Sequence, residues 1–379
     1  MLAPDNLLTT PALNRPGWRG TAHLADLRPV VKYLGSKRRL VEQIVAACAS
    51  DAPRAGSAID LFSGTARVGM ALKRAGWRVI SNDHTAFAHV LAIAHVQADP
   101  ERVGARAGAL IAELNALEPA PGYITDMYCR RSWFLHPDNG ARIDAARARI
   151  DAMDLDDEMR AVLLASLIEA ADRVDSTTGV QMAYLKQWAP RAHNRLHLRL
   201  PEMVERPAAG GSRAVRMDAL EAARTLTGDV AYLDPPYNQH SYLSNYHVWE
   251  TIAMGDEPEV FGKACKRVDC KTRKSPFNSR RTIGDAMRAV LDAIDVSTVV
   301  LSFNDEGYLG REELTAMLEH RGPVAIFERE MDRYIGCKIG IHSPKGELVG
   351  KVGRVRNTEL IFVAGRGADH LRTLEPVAA

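Results

Sequence analysis

Val230-Ala231-Tyr232-Leu233-Asp234-Pro235-Pro236-Tyr237-Asn238 is the stretch on which the reading of this chain turns. Four apolar residues read as a buried strand that stops at an acid, two prolines and an aromatic ring. Pro235 and Pro236 fix φ and remove two backbone donors, so the strand cannot continue. They also push the residues before them out of the helical region. A stiff elbow is expected at a strand's carboxyl end, where open α/β sheets bind ligands.

An acid, an adjacent carbonyl and a flat ring held together suit methylation of an exocyclic amine on a heterocycle. The lone pair of such an amine is delocalised into the ring. If Asp234 and the Pro235 carbonyl accept its N–H bonds, the nitrogen becomes more nucleophilic, and Tyr237 can hold the ring by stacking. The plainer alternative is a proline-rich turn that Asp234 merely starts, so the upstream sequence has to decide.

Upstream, Val30 to Leu40 reads as a short strand broken at Gly35, with Ser36 able to cap and Leu40, Ile44 and Cys48 at helical spacing. Lys37 sits near a helix start, where the dipole already favours anions, which points to a ligand carboxylate or else to a solvated basic cluster. Ser57 to Met70 then gives strand, small-residue turn and helix, with Gly76 where that helix would end. A second strand over Trp77 to Ser81 leads to Asn82-Asp83. Asp83 lies 19 residues after Gly64, close to the roughly 20 expected of a ribose-binding acid. Gly64 and Gly69 do not form G-x-G-x-x-G, so a single nucleoside is expected and a dinucleotide is not.

From Asp99 to Arg213 helices are expected over Glu101 to Leu117, Ala141 to Met153 and Asp157 to Val174. In the last, Met159, Val162, Leu163, Leu167 and Ala170 line one packing face. Aromatics and cations alternate from Tyr123 to His136, and a basic run follows through Lys186, Arg191, His193, Arg195, His197 and Arg199. Such a mixture stacks bases and grips phosphates, or is ordinary half-exposed surface. Val215 to Asp218 reads as a strand end, with Asp218 either contacting an adenine or capping the next helix. Beyond the elbow, Tyr242, Asn245, Tyr246, His247 and Trp249 are placed beside the target base. Lys263, Lys266, Arg267, Lys271, Arg273, Lys274, Arg280 and Arg281 follow, interrupted by Ser275-Pro276-Phe277-Asn278, and read as a phosphate-gripping loop. Strands are expected over Ser297 to Phe303 and Pro323 to Glu328, and an antiparallel edge around Lys345-Gly346 from Ile335 to Ile341 and Glu359 to Val363.

Composition sets wide bounds. The chain has 379 residues, 46% of them hydrophobic, and a net charge of +2, enough for one large domain or two smaller ones. No apolar run is long enough for a membrane span, and the N-terminus lacks a signal pattern. Five scattered cysteines, Cys48, Cys129, Cys265, Cys270 and Cys337, fit a reducing cytoplasm without a disulfide framework. Their spacing offers no metal site.

Taken together, Lys32-Tyr33-Leu34-Gly35-Ser36-Lys37, Asp60-Leu61-Phe62-Ser63-Gly64-Thr65, Asn82-Asp83 and Asp234-Pro235-Pro236-Tyr237 resemble the adenine-specific DNA methylases of the α group, the group of the Dam methylase. The likeness covers Val30 to Val96 and Val215 to Val363. It implies an α/β, Rossmann-like S-adenosyl-L-methionine-dependent methyltransferase sheet with a C-terminal antiparallel hairpin and a helical insert. Tyr33, Lys37, Asp60, Phe62, Gly64, Asp83, Asp218 and Asp234 would contact the cofactor, and Asp234, Pro235, Pro236 and Tyr237 would form the catalytic elbow. The division implied is a lead-in over 1–28, a cofactor half over 29–98, a target-recognition insert over 99–213 and a catalytic half over 214–379. Expected partners are double-stranded DNA, with the adenine flipped out of the helix, and a cognate restriction endonuclease. RNA adenine methylation, cytosine-N4 methylation and an inactive DNA-binding homologue stay open. Ala66 stands where the family's second glycine falls.

Overall fold

The computed structural model describes residues 24, 27–28, 30–51, 56–182, 185, 187–332, 341–342, 348–350 and 356–373. Most of the lead-in, Lys186, Cys337 and the Lys345-Gly346 turn lie outside these. In chain order come α1 (Val41–Cys48), β1 (Ser57–Asp60), α2 (Arg67–Arg74) and β2 (Arg78–Asn82). Helices α3 (Ala86–Ala92), α4 (Pro100–Ala116), α5 (Pro137–Ala152) and α6 (Asp157–Arg173) follow. Next are β3 (Arg213–Val215), α7 (Ala219–Thr225), β4 (Val230–Leu233), α8 (Tyr242–Asn245) and α9 (His247–Met254). Two short strands, β5 (Val260–Phe261) and β6 (Lys266–Arg267), precede α10 (Ile283–Ala293) and β7 (Thr298–Asn304). The chain continues through α11 (Arg311–Leu318), β8 (Val324–Asp332), β9 (Ile341–His342), β10 (Leu348–Gly350), β11 (Arg356–Gly365) and α12 (Arg366–Thr373).

Seven of these strands form one sheet in the order β3-β2-β1-β4-β7-β11-β8. The ladders from β3 to β7 are parallel, and β11 runs antiparallel to both its neighbours. β1, β4 and β7 are buried along their whole length, as a parallel sheet covered on both faces requires. Alternation splits their side chains. Ala58, Val230, Tyr232 and Val300 face the core shared with α1 to α6 and α9, whereas Ile59, Ala231, Leu233, Val299 and Leu301 face α7, α10 and α11. Reversal of the strand order at β1 and β4 leaves a crevice at their carboxyl ends.

Helix α6 is buried on all sides, from Met159 and then from Ala161 through Asp172, so it is the core of the helical layer rather than a one-faced surface helix. Lys32 fastens it to the entry segment, with Nζ 3.1 Å from both Asp172 and Asp175 carboxylates. No described helix is long and apolar enough to cross a membrane.

Two local expectations are corrected. Ser36 makes no side-chain cap; Lys37–Arg39 is a single 3-10 turn and the helix begins at Val41. The Glu359 segment is not an edge strand paired across Lys345-Gly346. β11 lies inside the sheet with β7 on one side and β8 on the other, and β8 is the edge.

Candidate active site at the strand termini

Loops from β1, β2, β3 and β4 converge on a cavity of ≈ 390 Å³. Tyr33, Lys37, Asp60, Phe62, Gly64, Asp83, Asp218, Asp234 and Pro236 all line it, so residues up to 203 positions apart in sequence meet at one crevice.

The β1 loop is built by tight turns. Gly64 has φ 49°, and an added Cβ would come within 3.2 Å of the Tyr33 ring. Ala66 holds φ 60°, so this chain keeps the left-handed turn with alanine where glycine would adopt it freely. Asp60 Oδ2 accepts from Gly69 N at 3.0 Å, while Oδ1 is buried without a hydrogen-bond partner. Burial first, and then the charge of Asp234, raise the Asp60 carboxyl to about 8, although the Gly69 bond pulls the other way. Asp83 ties the β2 loop to the β1 loop, accepting from Gly64 N at 3.0 Å and from Thr85 N at 2.9 Å. Asn82 joins Leu61 O to Met217 N at 3.1 and 3.0 Å. Asp218 meets both of its readings. Its side chain caps α7 through Leu220 N at 2.9 Å, and it lines the cavity.

Tyr33 stacks against both Tyr242 (centroids 5.0 Å apart) and Tyr246 (4.7 Å), which are themselves 6.4 Å apart, with the three rings nearly parallel. Of the residues placed beside the target base, only Tyr242 faces the cavity. Tyr246, His247 and Trp249 are packed inside, where the backbone and side chain of Gln181 bind the α8–α9 junction.

Lys37 does meet carboxylates, and they belong to the protein itself. Its Nζ lies 3.0 Å from Asp234 Oδ1 and 3.7 Å from Glu359 Oε2. Burial works against the ammonium, but Asp234 and Glu359 more than offset it and keep the lysine charged. Asp234 is raised by burial and lowered by Lys37, with a net value of about 6. Tyr237 packs edge-on against Phe303 at 5.7 Å, and its carbonyl accepts from Tyr308 N at 2.9 Å.

The basic loop divides in two. Lys271, Lys274, Arg280 and Arg281 are exposed, and Lys266 is half-buried. Arg267 is 2% exposed and held by Asp256 at 2.6 and 2.7 Å and by Asp269 at 3.1 Å. It braces the loop and cannot reach a phosphate, which corrects its expected role. Arg273 is likewise tied to the buried Glu250 at 2.8 Å and to Asp269 at 3.2 Å. Because Asp256 and Asp269 remain partly solvated, Arg267→Ala should cost about 2 kcal/mol, below the 3–5 of a fully buried pair. Thermal denaturation will read that loss; unchanged stability together with lost DNA affinity would restore the phosphate role.

Sequence reasoning missed Phe277, which meets Phe62 edge-on at 5.3 Å in the cavity wall, and Asn278, whose amide holds the elbow carbonyls of Asn238 and His240 at 2.8 and 3.1 Å. An apolar ring interrupting a basic run was the available signal.

Residues 33–317 match the D12 class N6 adenine-specific DNA methyltransferase family. The chain belongs to that family. It is 30% identical over 310 residues to the type II methyltransferase M.FokI of Planomicrobium okeanokoites, covering 77% of this chain and 47% of that protein. It is also 30% identical over 315 residues to the type II methyltransferase M.NlaIII of Neisseria lactamica, covering 80% and 92%. The chain thus spans about half the length of M.FokI and most of M.NlaIII. Every residue that lines the cavity falls within the matched stretch.

Proposed function

We propose that this chain transfers a methyl group from S-adenosyl-L-methionine to N6 of adenine at a defined sequence in double-stranded DNA. What carries the reading is that Asp234, at the proline elbow, lines the same cavity as Asp60, Phe62, Gly64 and Asp83. The residues fit the cofactor. Asp60 Oδ1 is a buried acceptor lacking a donor, suited to an amino group; Asp83 suits ribose hydroxyls, Asp218 an adenine amine, and Phe62 and Phe277 a flat ring.

Bound there, the cofactor would supply a methyl carbon made electrophilic by its sulfonium. Asp234 and the Pro235 carbonyl accept the two N–H bonds of adenine N6 and draw its lone pair out of the ring. Pro236 keeps the elbow rigid, and Tyr237 offers a ring for stacking. Reaching N6 requires extruding the base at a cost of a few kcal/mol. Lys271, Lys274, Arg280 and Arg281 offset it by gripping phosphates, with Lys266 close behind and residues 99–213 as the target-recognition region. A cognate restriction endonuclease is the proposed partner and the cytoplasm the proposed location, in keeping with relatives described as type II methyltransferases.

Incubation with unmethylated genomic DNA and methyl-labelled cofactor, followed by nucleoside analysis, tests this. Label should appear in N6-methyladenine at one sequence. Label in N4-methylcytosine, or in RNA alone, would replace the reading, and none at all would end it.

A further inference from the structure

We infer that Glu359 is a positioning residue for this reaction, the second seat of the Lys37 ammonium when Asp234 turns to the substrate amine. The inference rests on the proposed methyl transfer and goes beyond it, because Glu359 lies past the residues that match the family.

The geometry is asymmetric. Lys37 is 7% exposed, and its ammonium sits tightly on Asp234 and loosely against Glu359. Glu359 Oε2 is buried and receives no hydrogen bond, an expensive state for a carboxylate oxygen unless a donor arrives. The strand fixes it there: Glu359 pairs with Asn304 on one side and Arg329 on the other. A rigid, under-satisfied carboxylate therefore waits beside a lysine on a flexible stem.

The chemistry explains why a second seat is needed. With an ammonium on Oδ1, the charge of Asp234 is neutralised and its pull on an N–H bond is weak. Were Asp234 the sole anion in reach, releasing the lysine would strand a buried cation. Glu359 removes that cost, so a short swing of Lys37 frees Asp234 without uncovering a charge. The other titratable groups facing Asp234 are Asp60 from the β1 loop, Tyr232 on β4, Tyr237 in the elbow and Tyr33 and Tyr242 beside the cavity. None of these tyrosines is anionic near neutral pH, and Asp60 is largely protonated there.

The test is Glu359→Gln, which keeps shape and removes the charge, with Glu359→Asp as the conservative rescue. At saturating DNA and cofactor, the single-turnover rate of Glu359→Gln should fall on the order of tenfold while both binding constants stay within about threefold. Glu359→Asp should recover part of the rate. In the cofactor-free protein, carbon-13 NMR of the Asp234 carboxyl should show its titration moving below about 6, since Glu359 raises it. If the wild type methylates adenine, equal rates in Glu359→Gln and an unmoved Asp234 titration would overturn the inference and leave the function standing. If the wild type transfers no methyl to DNA, the function fails, and the NMR titration still decides the lysine's seat: a curve unchanged by Glu359→Gln overturns it.

Discussion

Asp234→Ala is expected to lower the methyl-transfer rate by at least about 10³-fold, the upper range for losing one group that stabilises developing charge, while cofactor binding persists. The Pro235 carbonyl can still accept one N–H bond, but the amine then keeps most of its conjugation. The variant also leaves Lys37 facing Glu359 alone at 3.7 Å, so the protein should fold with modest loss of stability. Because the wild-type carboxyl titrates at about 6, protonation mimics the mutation. The rate should fall below pH 6 and reach about a tenth one unit lower, as a single ionisation requires. A rate flat from pH 5 to 8, or an alanine variant with near-normal turnover, would remove Asp234 from the chemistry.

The elbow was readable because its cause is local: two prolines after an apolar run end a strand whatever surrounds them. Helices α4 to α6 were readable within four residues at each end from apolar spacing and turn residues. Asp83 followed from the near-constant length of a strand–helix–strand unit. What failed depends on long-range pairing. The Glu359 segment looks like any antiparallel strand, and nothing within it says that β7 and β8 will flank it. Arg267 and Lys274 carry the same charge a few residues apart, yet Asp256 and Asp269 take the first inside while the second stays exposed at the cavity rim. Lys37 reads from the sequence as a partner for a ligand carboxylate, whereas the carboxylates that the fold brings to it are Asp234, 197 positions away, and Glu359, a pairing that no local pattern encodes. Tyr246 and Trp249 have the residue types of a base-binding surface, and only burial shows that they are core.

Asp60→Asn should raise the cofactor dissociation constant by about 100-fold, as expected when a charge-assisted bond in a low-dielectric site is lost. Asparagine can still accept from Gly69 N through its oxygen, so the turn survives. What changes is the atom now lacking a donor, Oδ1: it becomes neutral or is replaced by an N–H donor facing the cofactor's ammonium. The pH dependence makes the assignment specific. In the free protein the Asp60 carboxyl titrates at about 8, so at pH 7 it must give up its proton to receive an ammonium. Affinity should therefore rise about tenfold per unit from pH 6 towards 8. It should decline again at higher pH, because an α-amino group of pKa about 7.7–8.0 then loses its own charge. Titration calorimetry in buffers of different ionisation enthalpy should show close to one proton released at pH 7 in the wild type and markedly less in Asp60→Asn. A binding constant independent of pH on the acid side, or the same proton release in both proteins, would show that Asp60 supports the Gly69 turn and nothing more.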